Sequence, residues 1–103
     1  MMQVESQIVA LVAAELPCFS QHLRDWVDQH LIIPRQESFS QNENGTGEIT
    51  LWLITDNIGK NDSSYRIVFD EFKGRFGLVV KLQNEVEWLM GFYGGFAETV
   101  EAM

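Results

Sequence analysis

Alternating apolar positions between residues 65 and 93 predict three consecutive antiparallel strands that share one apolar face. A turn over 71–74 would join the first two strands, and a turn at 83–85 would join the next two. Successive side chains of a strand point to opposite faces, so both registers place one set of residues on the same side. The predicted pairs are Phe69 with Phe76, Ile67 with Leu78, Tyr65 with Val80 and Asp70 with Arg75, then Leu82 with Val86, Val80 with Trp88, Leu78 with Met90 and Phe76 with Phe92.

Apolar residues at helical spacing predict two amphipathic helices before the strands. The first would run over about 3–15 and the second over about 18–31. Pro17 separates them, because proline fits the first turn of a helix and not its interior. One long helix kinked at Pro17 is the alternative. Pro34 excludes further helix, and Ile33 before it should be extended.

The middle of the chain predicts a hairpin with a polar outer strand. Residues 35–42 are polar, and an outer position tolerates charge because charge discourages further pairing. Asn44-Gly45 is typical of a two-residue turn, since a type I′ turn needs positive φ at both centres. The turn would pair the polar strand with an apolar strand over 48–56. Residues 57–64 read as a mobile loop.

The order of elements predicts one α+β domain over residues 1–103. Gly94 and Gly95 should end the last strand, and Phe96, Val100 and Met103 fit a short C-terminal helix. Two N-terminal helices should then pack on a five-stranded antiparallel meander sheet. The face that they cover would carry Ile67, Phe69, Leu78, Val80, Trp88 and Met90.

The opposite face of this sheet is more apolar than a solvated face needs to be. If Leu51 and Leu53 join the helix-covered face, the side chains pointing away from it are Trp52, Ile54, Val68, Val79, Leu89 and Tyr93. The closing helix could cover this second face, the loop 57–64 could lie across it, or it could be an interface with a second copy or a partner. In the third case these six residues bind the partner. Trp52 and Tyr93 would be the anchors, because Trp and Tyr are enriched at binding hot spots.

Charge narrows the class of partner. The chain has 15 Asp and Glu against 7 Lys and Arg, which gives a formal net charge of -8. Such a surface repels phosphate backbones and anionic lipid, so we expect no nucleic acid and no membrane as direct partner. It would speed encounter with a basic protein, although acidity also serves solubility alone. The single cysteine excludes an internal disulfide, and together with the absence of a signal-like start it favours a cytoplasmic location.

Motifs that carry chemistry are weak in this sequence. Cys18 and His22 lie four apart on the predicted second helix, with Asp25 three further on, but the spacing matches no closed zinc pattern. Cys18 is more simply a small buried hydrophobe. The same pair lacks a glycine-rich oxyanion motif and a third residue that would orient the histidine. We therefore expect no catalytic residue, no metal site and no cofactor.

A run of turn and core motifs occupies the last part of the chain. It consists of Tyr65-Arg66-Ile67-Val68-Phe69-Asp70, Gly74-Arg75-Phe76-Gly77-Leu78, Tyr93-Gly94-Gly95-Phe96-Ala97-Glu98 and Ala102-Met103. This run resembles a pattern in small acidic uncharacterised bacterial proteins, some of which accompany toxins as immunity factors. The resemblance implies no catalytic residue.

These observations predict a non-enzymatic protein-binding module, such as an inhibitor or immunity protein for a basic toxin. An acidic homodimer of the secretion-chaperone type is one alternative. A small ligand-binding protein with a pocket between sheet and helices is another. All three classes are compatible with a short acidic α+β chain.

Overall fold

Two N-terminal helices, an antiparallel meander and a short C-terminal helix form the structure, which confirms the predicted α+β fold class. The computed structural model describes residues 4–42, 44–60, 63–81 and 86–102. The elements are α1 Val4–Glu15, α2 Gln21–Asp28, β1 Leu31–Ser40, β2 Glu48–Thr55, β3 Ile58–Lys60, β4 Ser63–Asp70, β5 Arg75–Lys81, β6 Glu87–Gly94 and α3 Phe96–Glu101. The predicted pair Leu82–Val86, the turn at 83–85 and Met103 of the closing helix lie outside the described residues.

The two N-terminal helices are separate, as the position of Pro17 predicts. A 3-10 turn over Leu16–Cys18 lies between them. The Ser20 hydroxyl begins α2 by accepting the Leu23 N–H at 3.3 Å, a role in which serine is strongly preferred. The second helix ends before residue 31 because Leu31 already belongs to β1. The alternative of one long kinked helix is therefore wrong.

The β4–β5 hairpin has the predicted register at every predicted pair. Phe69 lies opposite Phe76 with their ring centroids 4.7 Å apart. At the turn, Arg75 Nε donates to Asp70 Oδ2 at 3.4 Å. The other confirmed pairs are Ile67 with Leu78 and Tyr65 with Val80.

Among the described residues, the β5–β6 register agrees with the prediction only at the pair nearest the connection between the two strands. Val80 pairs with Trp88, but the register then shifts, and the predicted pairs Leu78–Met90 and Phe76–Phe92 are wrong. Gly77 provides the physical reason. A Cβ on Gly77 would lie 2.5 Å from the carbonyl oxygen of Gly91 and 2.8 Å from a ring carbon of Phe92, so only glycine allows this approach. Met90 has no partner in this register and is exposed.

The hairpin between β1 and β2 forms, but its turn is longer than the two residues predicted. Ser40 pairs with Glu48, and the chain reverses over 41–47 with positive φ at Gly45 and Gly47. The described part of the segment 57–64, predicted as a mobile loop, contains β3, in which Ile58 pairs with Tyr65 of β4. Residues 61 and 62 of the predicted loop lie outside the described residues. Because β2 and β3 both pair with β4, they act as one interrupted strand of a five-strand meander.

The meander curls until its two ends meet. β2 pairs with β4 as well as with β1, and Ser40 of β1 makes a parallel bridge to Trp88 of β6. β1 is therefore joined to β6 at one end instead of being a free outer strand. The curl gives the sheet an inner side and a helix-covered outer side.

Two separate apolar clusters result from this curl. The helix-side cluster joins the three helices to the outer side of the sheet through Ile8, Val12, Phe19, Val27, Ile54, Ile58, Ile67, Phe69, Phe76, Leu78, Phe96 and Val100. The inner cluster lies within the curl and consists of Phe39, Leu51, Leu53, Val68 and Val79, with Ile32, Ile49, Leu89 and Phe92 against it.

Candidate protein-binding surface

The six residues predicted to share a second sheet face do not lie together. Ile54 belongs to the helix-side cluster, and Trp52 and Tyr93 pack against it. Val68 and Val79 belong to the inner cluster, and Leu89 packs against that one. The predicted common face is therefore wrong.

The error comes from β2, whose alternate residues face the opposite sides of the sheet from those predicted. Trp52 lies opposite Phe69 and Leu53 lies opposite Val68, so Trp52 shares the helix side and Leu53 the inner side. The predicted orientation of these two side chains is the reverse. A shift by one residue exchanges the two faces of a whole strand. In β6, the register shifts similarly bring Tyr93 to the helix side.

Burial limits what these six side chains can contact. Ile54 is 1% exposed, and Val68 and Val79 are 0% exposed, so a partner could reach them only if the fold opened. The closing helix, through Phe96 and Val100, and Ile58 of β3 belong to the helix-side cluster instead of covering the inner one. β1 and β2 cover it through the curl. Partner binding by the half-buried Trp52, Leu89 and Tyr93 stays a prediction.

The predicted anchor Trp52 uses its polar group within the chain. Its indole Nε1 donates to Glu71 Oε1 at 3.3 Å, while its ring packs against the helix-side cluster. A buried or half-buried indole N–H normally finds such a partner. Trp52 is therefore held in place by its own chain.

An ion cluster closes the open end of the inner cluster. Arg66 of β4 donates through Nε to Glu87 Oε2 of β6 at 2.7 Å, and its terminal nitrogen binds the other oxygen of the same carboxylate. The terminal nitrogen also lies 3.5 Å from Glu37 of β1. The guanidinium stands 5.7 Å from the ring centre of Phe39. One side chain thus ties together three strands.

The electrostatics of this cluster favour a fixed charge. The Arg66 side chain is 16% exposed and that of Glu87 is 18% exposed. The hydrogen bond that Arg66 donates to Glu87 raises the pKa of Arg66 from a value that is already high, against the opposing effect of burial. Arg66 therefore stays charged and orders the sheet. A proton-transfer role does not suit a group of this kind.

The cysteine and histidine residues are dispersed over the surface. Cys18 is exposed, so its predicted role as a buried hydrophobe is wrong. His22 is also exposed. His30 is half-buried, its Nδ1 lies 2.7 Å from Asp56 Oδ1, and its ring makes an edge contact with Trp26. In the part of the chain that the structure describes, no three His, Cys, Asp or Glu side chains gather in a metal-like group.

Exposed apolar side chains mark a surface that sequence reasoning missed. Among the described residues, five large apolar side chains are exposed, and four of them surround α1. We call these four the α1 surface: Val9 at 55%, Leu11 at 44%, Ile33 at 81% and Phe72 at 88% exposure. The fifth, Met90, lies on β6. Val9 and Ile33 line one depression, and adjoining exposed apolar side chains of this kind are typical of an interaction site.

A trough runs along one flank of α1. Two adjoining cavities of about 210 Å³ and about 380 Å³ share Val9 and Ala13 of α1 and Pro34 of β1 as lining residues. Leu31 lines the first cavity, and Ile33 lines the second. We call this combined depression the α1 trough. Its floor is the buried helix-side cluster, at Ile8, Val12 and Ile54.

The opposite flank of α1 faces the β4–β5 turn. A groove of about 420 Å³ there is lined by Leu11 and Ala14 of α1 and by Glu71 and Gly74 of the turn. Phe72, between those two turn residues, projects almost fully into solvent. The α1 surface is therefore grooved on both sides of one helix.

The sequence contains a signal for this surface in α1 itself. The helix is apolar nearly all round, and it carries no charge between Glu5 and Glu15. Only Ile8 and Val12 of the helix are buried. A helix that is apolar on every side is normally buried on every side, whereas α1 is buried on one side only. Ile33 is exposed because the β1–β2 register shifts beside it.

None of the described helices is both long and apolar enough to cross a membrane. The resemblance of residues 65–103 to small acidic bacterial proteins stays a prediction. Comparisons with protein-family models, with curated proteins and with solved structures found no match.

Proposed function

We propose that this chain is a non-enzymatic protein-binding module that acts in the cytoplasm as an inhibitor or immunity protein for a basic protein. The observation that carries the proposal is the α1 surface. Four large apolar side chains stand in solvent around one helix, although the fold already has two filled clusters. The net charge of -8 supports a basic partner, because opposite charge speeds encounter and suppresses wrong partners.

The half-buried Trp52, Leu89 and Tyr93 are weaker candidates for this contact. The Trp52 indole is bonded to Glu71, and all three rest on an apolar cluster of their own chain. Ile33 and Phe72 have no comparable cover, since they are 81% and 88% exposed. The α1 surface therefore replaces the second sheet face as the proposed contact.

Self-association is the second candidate function. The stretch of α1 between Glu5 and Glu15 carries no charge, so two copies could approach there with little local repulsion. Two-fold dimers are also the commonest assembly of soluble chains. Against this candidate, each copy brings a net charge of -8.

Site-specific photo-crosslinking in producing cells tests the proposal. A photo-reactive amino acid at Ile33 or Phe72 should give a discrete heavier species that contains a different protein. The same amino acid at Met90 of β6, an exposed side chain that lines none of the three depressions beside α1, is the matched control and should give none. A species of twice the mass of the chain would support self-association instead. No species from either α1 position would refute the proposal.

A further inference from the structure

The shape of the α1 trough suits a helix from another protein. α1 has 12 residues, which corresponds to a length of about 18 Å at the helical rise. The trough runs beside it with an apolar floor and two apolar walls, and apolar side chains from a partner helix at i, i+3 or i+4 and i+7 would fill a depression of this length. The exposed Ile33 raises the outer wall of the trough.

The backbone beside the trough does not suit an added strand. Pro34 has no N–H to offer, and the β1–β2 register shifts between Leu31 and Arg35. A strand that adds to a sheet edge relies on main-chain hydrogen bonds, and this stretch breaks their repeat. Recognition at the trough must therefore come from side chains.

The charges around the α1 trough indicate which kind of helix could bind there. Glu5 lines the trough near one end, and it is the single charged side chain among the described lining residues. At the other end, beyond Leu31, the Asp56 carboxylate is occupied by His30 Nδ1 at 2.7 Å. The nearby Arg35 is occupied by Glu37 at 2.7 Å. The described lining of the trough thus carries one negative charge and no positive one, within a chain whose net charge is -8.

We infer that the α1 trough binds an amphipathic helix whose apolar stripe is flanked by lysine or arginine. This inference rests on the proposed function and specifies its partner. The apolar stripe fills the trough, and the basic flanks meet Glu5 and the negative charge of the chain as a whole. A second copy of this chain is a poorer occupant because its own α1 again brings Glu5 and a net charge of -8.

Two model peptides of about 14 residues, each about 20 Å long as a helix, test the inference. Both have leucine at the same i, i+3, i+4 and i+7 positions, with lysine elsewhere in one and glutamate elsewhere in the other. Titration calorimetry should show the lysine peptide binding at least about tenfold more tightly than the glutamate peptide, which corresponds to about 1.4 kcal/mol. In a nitrogen-15 NMR spectrum, the shifted amides should be those of residues 5–16, 31–33 and 35.

A pair of variants separates specific docking from general attraction to an acidic protein. Ile33→Ser should weaken the lysine peptide by about tenfold. Met90→Ser, the control at an exposed apolar position outside the trough, should leave its affinity unchanged. The inference would be overturned if the lysine peptide did not bind, or if the glutamate peptide bound equally well. Equal effects of the two variants would also overturn it, as would a dimer joined through α1. If Ile33 or Phe72 still crosslinks to a different protein but the lysine peptide does not bind, the proposed function stands and this inference is wrong.

Discussion

The carboxylate of Glu15, the last residue of α1, accepts the backbone N–H of Phe96, the first residue of α3, at 2.8 Å. Its second oxygen accepts the N–H of Ala97 at 3.2 Å. The N-cap residue of α3 is Gly95, which has no side chain to cap with. A residue from the opposite end of the chain therefore satisfies the free N–H groups of the closing helix. The contact fixes α1 to α3 across the helix-side cluster.

Glu15→Ala should lower the free energy of unfolding by about 1–2 kcal/mol, because two N–H groups of α3 lose their acceptor. Urea denaturation followed by circular dichroism measures this change. Glu5→Ala removes an equal charge from the exposed start of the same helix and should change stability by less than about 0.5 kcal/mol. Equal effects of the two variants would show that the cap contributes nothing beyond charge.

Arg66→Met should destabilise the fold by about 3 kcal/mol, since it leaves the partly buried carboxylate of Glu87 without its cation and Glu37 with the exposed Arg35 alone. Arg35→Met is the matched control: the Arg35 side chain is 64% exposed and pairs with the same Glu37. Exposed pairs contribute little, so the control should cost less than about 1 kcal/mol. Chemical denaturation of both variants checks the difference, and similar losses would contradict a special role for Arg66.

The stabilisation from Arg66 should not vary with pH around neutrality. Its folded-state pKa is raised, chiefly by the Glu87 hydrogen bond, so its contribution is fully present below the unfolded-state pKa. It is lost only as the pH rises through the still higher folded-state pKa. The difference in unfolding free energy between the wild type and Arg66→Met should therefore stay constant through the neutral range. A difference that falls between mildly acidic and mildly basic pH would refute this assignment.

Gly77→Ala should cost several kcal/mol, because the added Cβ would lie 2.5 Å from the Gly91 carbonyl oxygen and force β6 to move. Gly74→Ala is the comparison. No atom lies within 4 Å of a Cβ there, but the φ of +64° strains any other residue. That strain should cost about 1 kcal/mol. Thermal unfolding ranks the two variants, and a smaller loss for Gly77→Ala would show that β6 adapts easily.

Trp52→Ala should lower stability by about 3 kcal/mol without changing the oligomeric state, since the ring packs on the helix-side cluster. Trp52→Phe keeps most of the ring and removes the bond to Glu71, so it should cost about 1 kcal/mol. Urea denaturation and light scattering give the two readouts. Loss of an assembly with no loss of stability would restore Trp52 as an interface anchor.

The sequence predicts the β4–β5 hairpin well because its signals are local. Phe69 and Phe76, with Asp70 and Arg75 beside the turn, specify one register within a few residues. The orientation of β2, by contrast, has no such local signal. Leu51, Trp52, Leu53 and Ile54 are all apolar, so alternation does not tell which side faces the helices, and the partner strand β4 decides it.

The α1 surface was hidden from sequence reasoning by a similar ambiguity. A stripe of Val4, Ile8, Leu11 and Val12 fits a buried helix face, but Leu11 lies on the exposed side. The exposure of Ile33 depends on a register shift in β1, and no local sequence motif predicts this shift. The curl of the sheet likewise depends on the bridge between Ser40 and Trp88, which are distant in sequence.

The bridge between Ser40 and Trp88 also has a kinetic consequence. The β4–β5 hairpin can form from neighbouring residues, whereas β1 meets β6 only after a long loop has closed, and long-range closure slows folding. Since β1 is already paired with β2 in a local hairpin, we expect the bridge between β1 and β6 to form last on folding and to break first on unfolding. Hydrogen exchange should then release the amides at this bridge before those of β4 and β5, and the opposite order would refute this sequence of events. The seam between β1 and β6 would thus be the first part of the sheet to open.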